Sequence, residues 1–173
     1  GLVHKLLDVG IGGAVFDVIA GFLSNRVQRV VVNGIRNETV MVVSSVPQGN
    51  VLGHLLFLLY TSDLPITLED TLVGYIDDST LLAEVSEPGS RVQTIFSLKR
   101  DLARIGDWCK SWEMLVNPMK TKSLVISRSR TLVPIFLNFV LDGTVVERVT
   151  ELKVLGVVLD ANLSFECHIR TIA

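Results

Sequence analysis

Two adjacent carboxylates set between two strand-like runs constrain this chain more than any other feature. Thr71-Leu72-Val73-Gly74-Tyr75 has the β-branched and aromatic content of a strand, and Thr80-Leu81-Leu82-Ala83 suits an antiparallel return beside it. Asp77 and Asp78 then sit at a hairpin tip. Successive strand side chains point to opposite faces, so neighbouring Asp residues share one metal centre only where a turn bends the backbone. A tight turn supplies that bend. It also supplies a plainer account, because Asp is common in turns and both carboxylates can simply be solvated.

The 173 residues suit one domain, or most of one. A hydrophobic fraction of 49% and a mean hydropathy of +0.48 are high for a free-standing domain, which implies apolar surface meant for neighbouring structure, as in a fragment. The longest apolar run, residues 51–60, is interrupted by Gly53 and His54 and is too short to span a bilayer. No signal-peptide pattern opens the chain, and no membrane partner is expected. Cys109 and Cys167 lie far apart without metal-ligand spacing and read as separate reduced thiols, which fits a reducing compartment.

A net charge of -2 argues against an overall field that attracts nucleic acid. The average conceals a division. Residues 61–90 hold seven acids (Asp63, Glu69, Asp70, Asp77, Asp78, Glu84, Glu87) and no Lys or Arg, whereas residues 99–130 hold eight bases against three acids. An acidic block suited to divalent cations precedes a basic one suited to phosphates, although ordinary solvated faces produce the same counts.

In chain order, Leu2, Val3, Leu6 and Leu7 have helical spacing, and Val15, Phe16, Ile19, Phe22 and Leu23 trace a second helix ending near Ser24-Asn25. Val-rich runs at 26–32 and 39–45 are expected to pair through a connection at 33–37 that contains Asn33-Gly34. A loop with Gln48-Gly49 leads into an apolar helix, which must be deeply buried and whose N-terminus suits a phosphate. Gly49 there allows close backbone approach, and Gln48 can hydrogen-bond a base or sugar. A helix entry with no ligand remains the alternative. His54 is a lone helix residue rather than a ligand.

Ser90 and Gln93 form a capping-box pattern before a long helix whose apolar stripe includes Val92, Ile95, Phe96, Leu102, Ile105, Trp108, Cys109 and Trp112. Trp108 and Trp112 are expected as core anchors rather than base-stacking platforms. After Asn117-Pro118, Lys120 and Lys122 enter a strand at 123–127. Lys120 can balance or protonate a leaving phosphate if the Asp pair binds metal, and otherwise is surface charge. Three short strands follow at 135–141, 144–149 and 153–159. Asp142-Gly143 marks a hairpin, and Gly156 a bulge or a close backbone approach.

The order of these pieces resembles the palm of a reverse transcriptase of the non-LTR, LINE-like retrotransposon type. The resemblance rests on VPQGNVLGHLLFLLYTSDLP at 46–65, YIDDSTLLA at 75–83, NPMKT at 117–121 and ELKVLGVVLDANLSFECHI at 151–169. LSNRVQRVVVNG at 23–34 is similar to the family's hairpin before the Gln-Gly loop. The implied fold is α+β, an antiparallel palm sheet backed by helices with a small C-terminal β appendage. The palm core would cover 1–130, and the primer-grip region with the start of the thumb 131–173.

The resemblance implies DNA synthesis on an RNA template and DNA primer from deoxynucleoside triphosphates, by a two-metal route using Mg²⁺ or Mn²⁺. Asp77 would be the metal ligand and Asp78 its supporting carboxylate. Gln48, Gly49 and Tyr75 would line the nucleotide and template side, Lys120 would approach the leaving phosphate, and Leu155-Gly156 would form the primer-grip turn. The rest of the retrotransposon polyprotein would be a partner, and the nucleus the expected location. Family members commonly have Gly at position 45, Ser at 50, Pro at 54, Ala at 76 and an aromatic at 154, where this chain has Ser45, Asn50, His54, Ile76 and Val154. The family also uses another Asp on a strand before the first helix, so the fragment alone is expected not to polymerise. A non-catalytic α+β remnant or protein-interaction module is the competing function, and an unrelated metal-dependent phosphotransferase a remoter one.

Overall fold

A computed structural model of the chain describes residues 1–42, 49–85, 87, 89–127 and 138–172. The chain is α+β and divides into two compact units, Gly1–Pro65 with Gly74–Ser79, and Ile66–Val73 with Thr80–Ala173.

In the first unit, α1 (Leu2–Asp8), α2 (Gly13–Leu23) and α3 (Val51–Thr61) meet around Leu6, Ile19 and Leu56, with Phe16, Leu52 and Leu59 packed against them. α3 begins where the Asn50 side chain accepts a hydrogen bond from the Gly53 amide, a regular N-cap. The expectation that α3 is buried on all sides is corrected. Leu52, Leu56 and Leu59 form one i, i+4, i+7 line against the other helices, and Leu56 alone is buried; Val51, Leu55 and Leu58 are each more than half exposed.

Between α2 and α3, β1 (Val27–Gln28) pairs antiparallel with β4 (Val40–Met41), and β2 (Val31–Val32) with β3 (Ile35–Arg36). The connection is therefore tighter than the expected 33–37 loop. Asn33 and Gly34, with φ of 50° and 78°, make a two-residue turn of the twist that hairpins favour. Asn37 closes the break between the two ladders by accepting from the Val30 amide and donating its own amide to the Val30 carbonyl.

A single 3₁₀ turn (Pro65–Thr67) precedes β5 (Thr71–Tyr75), which pairs with β6 (Asp78–Leu82) across Ile76 and Asp77. In the second unit, α4 (Arg91–Ser111) packs on β8 (Val140–Leu141), and Leu98, Leu102 and Val116 cover a cluster of Phe139, Leu141 and Val146. Trp108 and Cys109 are buried, while Val92 and Phe96 of the expected stripe are exposed. Trp108 and Trp112 lie 6.2 Å apart between ring centroids, Trp108 buried and Trp112 only partly so. The capping box does not form. Ser90 turns its hydroxyl back to donate to the Glu87 carbonyl, because its own backbone is already helical (φ -80°, ψ -7°).

β7 (Lys122–Leu124) is shorter than expected and runs parallel to β10 (Glu147–Val149). β8 and β9 (Thr144–Val145) form the hairpin signalled by Asp142-Gly143; of the strand expected at 135–141, residues 135–137 lie outside the described residues. The run at 153–159 is corrected from one strand to a hairpin. β11 (Glu151–Val154) turns at Leu155 and Gly156 into β12 (Val157–Asp160), both turn residues having positive φ, and a Cβ at Gly156 would meet no neighbour. α5 (Glu166–Ile172) packs on β12. The strands thus form six two-stranded ladders among the described residues rather than one continuous sheet.

Candidate functional site

The hairpin of β5 and β6 presents both carboxylates at its tip. Asp77 occupies the second position of the turn and Asp78 opens β6; both are exposed. Among the described residues neither side chain has a hydrogen bond or ion pair. The turn is made in an unexpected way. Ile76 adopts φ of 54°, a left-handed conformation that β-branched residues rarely accept. Tyr75 stands 58% exposed at the end of β5, its ring available to a planar ligand.

The other predicted residues are distributed between the units. Gly49 precedes the α3 cap with φ of 84°, and a Cβ there would meet nothing within 4 Å, so the backbone is open on that side. Gln48 lies outside the described residues. In the second unit, Lys120 is exposed, with no side-chain partner among the described residues, on a turn held by its own amide and the Asn117 carbonyl and carboxamide. Leu155 and Gly156 come together in the β11–β12 turn, with Leu155 57% exposed. Asp77 and Asp78, the expected metal ligands, are consecutive in sequence at the hairpin tip. No group of three or more His, Cys, Asp or Glu residues suited to a metal occurs among the described residues.

Much of the apparent charge division is consumed internally. Arg100 grips Glu69 through both guanidinium and carboxylate, Arg104 lies 3.0 Å from both Glu69 and Asp101, Lys110 pairs with Asp142, and Lys122 with Glu147. These cations balance protein carboxylates, in line with the plainer account of the charge division as ordinary charged faces. The Arg100 hydrogen bonds hold the Glu69 carboxyl below its ordinary range.

Two charged residues that sequence reasoning passed over are buried. Asp101 is fully buried on α4 and accepts from the amides of Glu69 (3.1 and 3.0 Å) and Asp70 (2.8 Å), directly before β5. Lys5, also buried, donates to the Tyr60 carbonyl and to Asp63, with its ammonium 5.1 Å from the Tyr60 ring centroid. Helical spacing was the available signal: position 101 shares the stripe of 105, 108 and 112, and position 5 that of Leu2.

A family model described as reverse transcriptase (RNA-dependent DNA polymerase) matches residues 2–159. The chain belongs to the reverse transcriptase family. This reverse transcriptase chain is 29% identical over 163 residues to a probable RNA-directed DNA polymerase from transposon BS of Drosophila melanogaster, a match covering 90% of the chain and 18% of that protein. It is 25% identical over 179 residues to the RNA-directed DNA polymerase from mobile element jockey of Drosophila funebris (99% of the chain, 19% of the relative). Against the jockey polymerase of Drosophila melanogaster the identity is 28%, over 90% of the chain and 17% of the relative. The reverse transcriptase chain therefore spans less than a fifth of the length of these curated relatives. Among the described residues, no helix is long and apolar enough to cross a membrane.

Proposed function

We propose that the chain is the carboxylate-bearing part of the palm of an RNA-directed DNA polymerase encoded by a non-LTR transposon. Its substrates in this reading are an RNA template, a DNA primer and deoxynucleoside triphosphates, and its partner is the rest of the transposon-encoded protein. The observation that carries the reading is the hairpin tip, where Asp77 and Asp78 stand adjacent, exposed and unpaired among the described residues. Carboxylate oxygens are hard donors, and Mg²⁺ is commonly held by one or two carboxylates with substrate phosphates and water completing the shell, so this donor pair fits the ion. When bound, the ion neutralises phosphate charge and activates the attacking hydroxyl.

The chain's own residues bind and orient. Asp77 and Asp78 would hold the ion, and the open backbone at Gly49 would admit the nucleotide. Tyr75 and Gln48 contact nucleotide or template. The Lys120 ammonium offsets charge on the leaving phosphate, and the Leu155-Gly156 turn holds the primer strand. Full turnover takes a third carboxylate from another part of the protein, so the 173 residues alone bind but do not polymerise.

Primer extension and binding on poly(rA)/oligo(dT) test this. The expected result is template-primer binding that weakens steeply with salt and whose salt slope falls by about one unit in Lys120→Ala, without incorporation. Template-dependent incorporation abolished by Asp77→Ala would overturn the inactivity of the isolated chain. A second reading, a non-catalytic interaction module, is favoured by the exposed apolar faces of α2 and α3, where Val15, Val18 and Val51 are 61%, 67% and 91% exposed. Salt-insensitive self-association with no affinity for template-primer would select it.

A further inference from the structure

We propose that Lys5 is a positioning residue for the nucleotide-side backbone at Gly49, its buried ammonium setting the register of α3 against α1. The inference rests on the polymerase reading, and every residue in it belongs to the first unit, as do Asp77 and Asp78. Lys5 lies midway along α1 and is buried. Its ammonium donates to the Tyr60 carbonyl, one of the last in α3, and to Asp63, two residues beyond that helix, and stands 5.1 Å from the Tyr60 ring centroid. A cation there also meets the negative end of the helix dipole. Gly49 and the Asn50 cap lie at the opposite end of the same helix.

Apolar contact alone does not choose how α3 sits on α1. Apolar side chains stand all round α3 from Val51 to Leu59, and hydrophobic burial is non-directional, so Leu2 and Leu6 of α1 would find apolar partners after α3 turned about its axis or slid along it. Leu56 is nonetheless buried while Leu55 and Leu58, chemically its equals, are more than half exposed. A buried ammonium makes the distinction. Registers that carry Tyr60 and Asp63 out of its reach leave its desolvation uncompensated. An apolar residue at position 5 would pack as well and select nothing; fixing register is the best-attested use of buried ionic groups. Because a helix is stiff, a register set at Tyr60 is also set at the Asn50 cap, roughly 15 Å away along the axis.

The test uses the full 173-residue chain with Mn²⁺·dTTP as probe, water-proton relaxation for its affinity, and NMR for the Gly49 and Asn50 amides. Lys5→Met keeps an apolar stem and removes the ammonium; Asp63, 43% exposed, stays hydrated. Lys5→Met should move both amide resonances and weaken Mn²⁺·dTTP about tenfold, the scale at which residues that touch no ligand act. Its melting temperature should stay at or above the parent's. Asp63→Ala should weaken the probe in the same sense, and the double variant no further than Lys5→Met alone. Ile19→Ala, a buried change on α2, should lower the melting temperature and leave the affinity at the parent value. If Lys5→Met does not fold, Asp63→Ala decides by the same two readouts. Amides that stay in place, or parental affinity where Asp77→Ala loses it, would overturn the positioning role. So would a loss in Ile19→Ala equal to that in Lys5→Met, since the effect would then be general loosening. A parent chain that does not bind Mn²⁺·dTTP, or binding that survives Asp77→Ala, would instead sink the polymerase reading of the unit, and with it the role given to Lys5.

Discussion

Single side chains carry both the strain and the pH response of this molecule. Ile76, at φ of 54°, sits where an L-residue costs about 1–2 kcal/mol, while Asn tolerates the same conformation. Ile76→Asn should therefore raise the unfolding free energy by about 1 kcal/mol in a urea titration; an unchanged midpoint would mean the turn relaxes without it. Asp70 and Asp160 should respond to acid in opposite senses. Burial raises the Asp70 carboxyl, against the hydrogen bond from Ser97 and with the help of the Asp101 and Glu69 charges, and its Oδ2 is buried with no hydrogen-bond partner among the described residues. The folded state thus holds this proton more tightly than the unfolded chain, so Asp70 favours folding below its ordinary value of 3.8 and this contribution is lost as pH rises through the raised value. The Asp160 carboxyl is lowered to about 2 by the amides of Ser164 and Asn162, then the Ser164 hydroxyl and the Phe165 amide. Its contribution is present above the ordinary 3.8 and lost as pH falls toward about 2. In thermal melts near neutral pH, Asp70→Asn should raise the melting temperature and Asp160→Asn lower it, and the Asp160→Asn deficit should vanish in strong acid. The paired carboxylates were legible as a hairpin tip, because strand composition flanks them on both sides. Asp101 and Lys5 were not, since a charge counted as part of a block says nothing of the face it occupies.

Among the elements, turn chemistry was more legible than burial. Asn33-Gly34 and Asp142-Gly143 announce their hairpins, since both positions need positive φ and these residue types tolerate it. Leu155-Gly156 makes the same kind of turn, but Leu155 extends the apolar pattern of its flanks, so 153–159 reads as one strand from periodicity while the family resemblance places a turn there. Gly156→Val should cost about 1–2 kcal/mol, because a β-branched residue must take φ of 88°, and should erase the cross-strand contacts between Val154 and Val157 in NMR spectra. A variant as stable as the parent would show that the hairpin tolerates another turn type. α3 misled in the opposite direction. Apolar residues on every side imply burial on every side only where enough neighbours exist, and among the described residues α1 and α2 cover one stripe.

At the scale of the molecule, each unit has an apolar cluster among the described residues: Leu6, Ile19 and Leu56 in one, Phe139, Leu141 and Val146 in the other. Leu56→Ala and Leu141→Ala should each cost about 2–5 kcal/mol, with faster amide exchange confined to the unit that holds the substitution. Exchange that quickens throughout the chain would contradict that independence. The α+β class was legible from alternating helical and strand periods; the division into small ladders was not, because pairing partners are set by tertiary geometry rather than by local pattern. The clamp at Asp101 also bears on how the chain is born. The β5–β6 hairpin closes across two residues, a microsecond event, whereas the clamp joins positions 31 and 32 residues apart and waits for α4. During synthesis the acidic hairpin is therefore complete before Asp101 has left the ribosome, with the outer edges of β5 and β6, unpaired among the described residues, open to pairing with a neighbouring nascent chain.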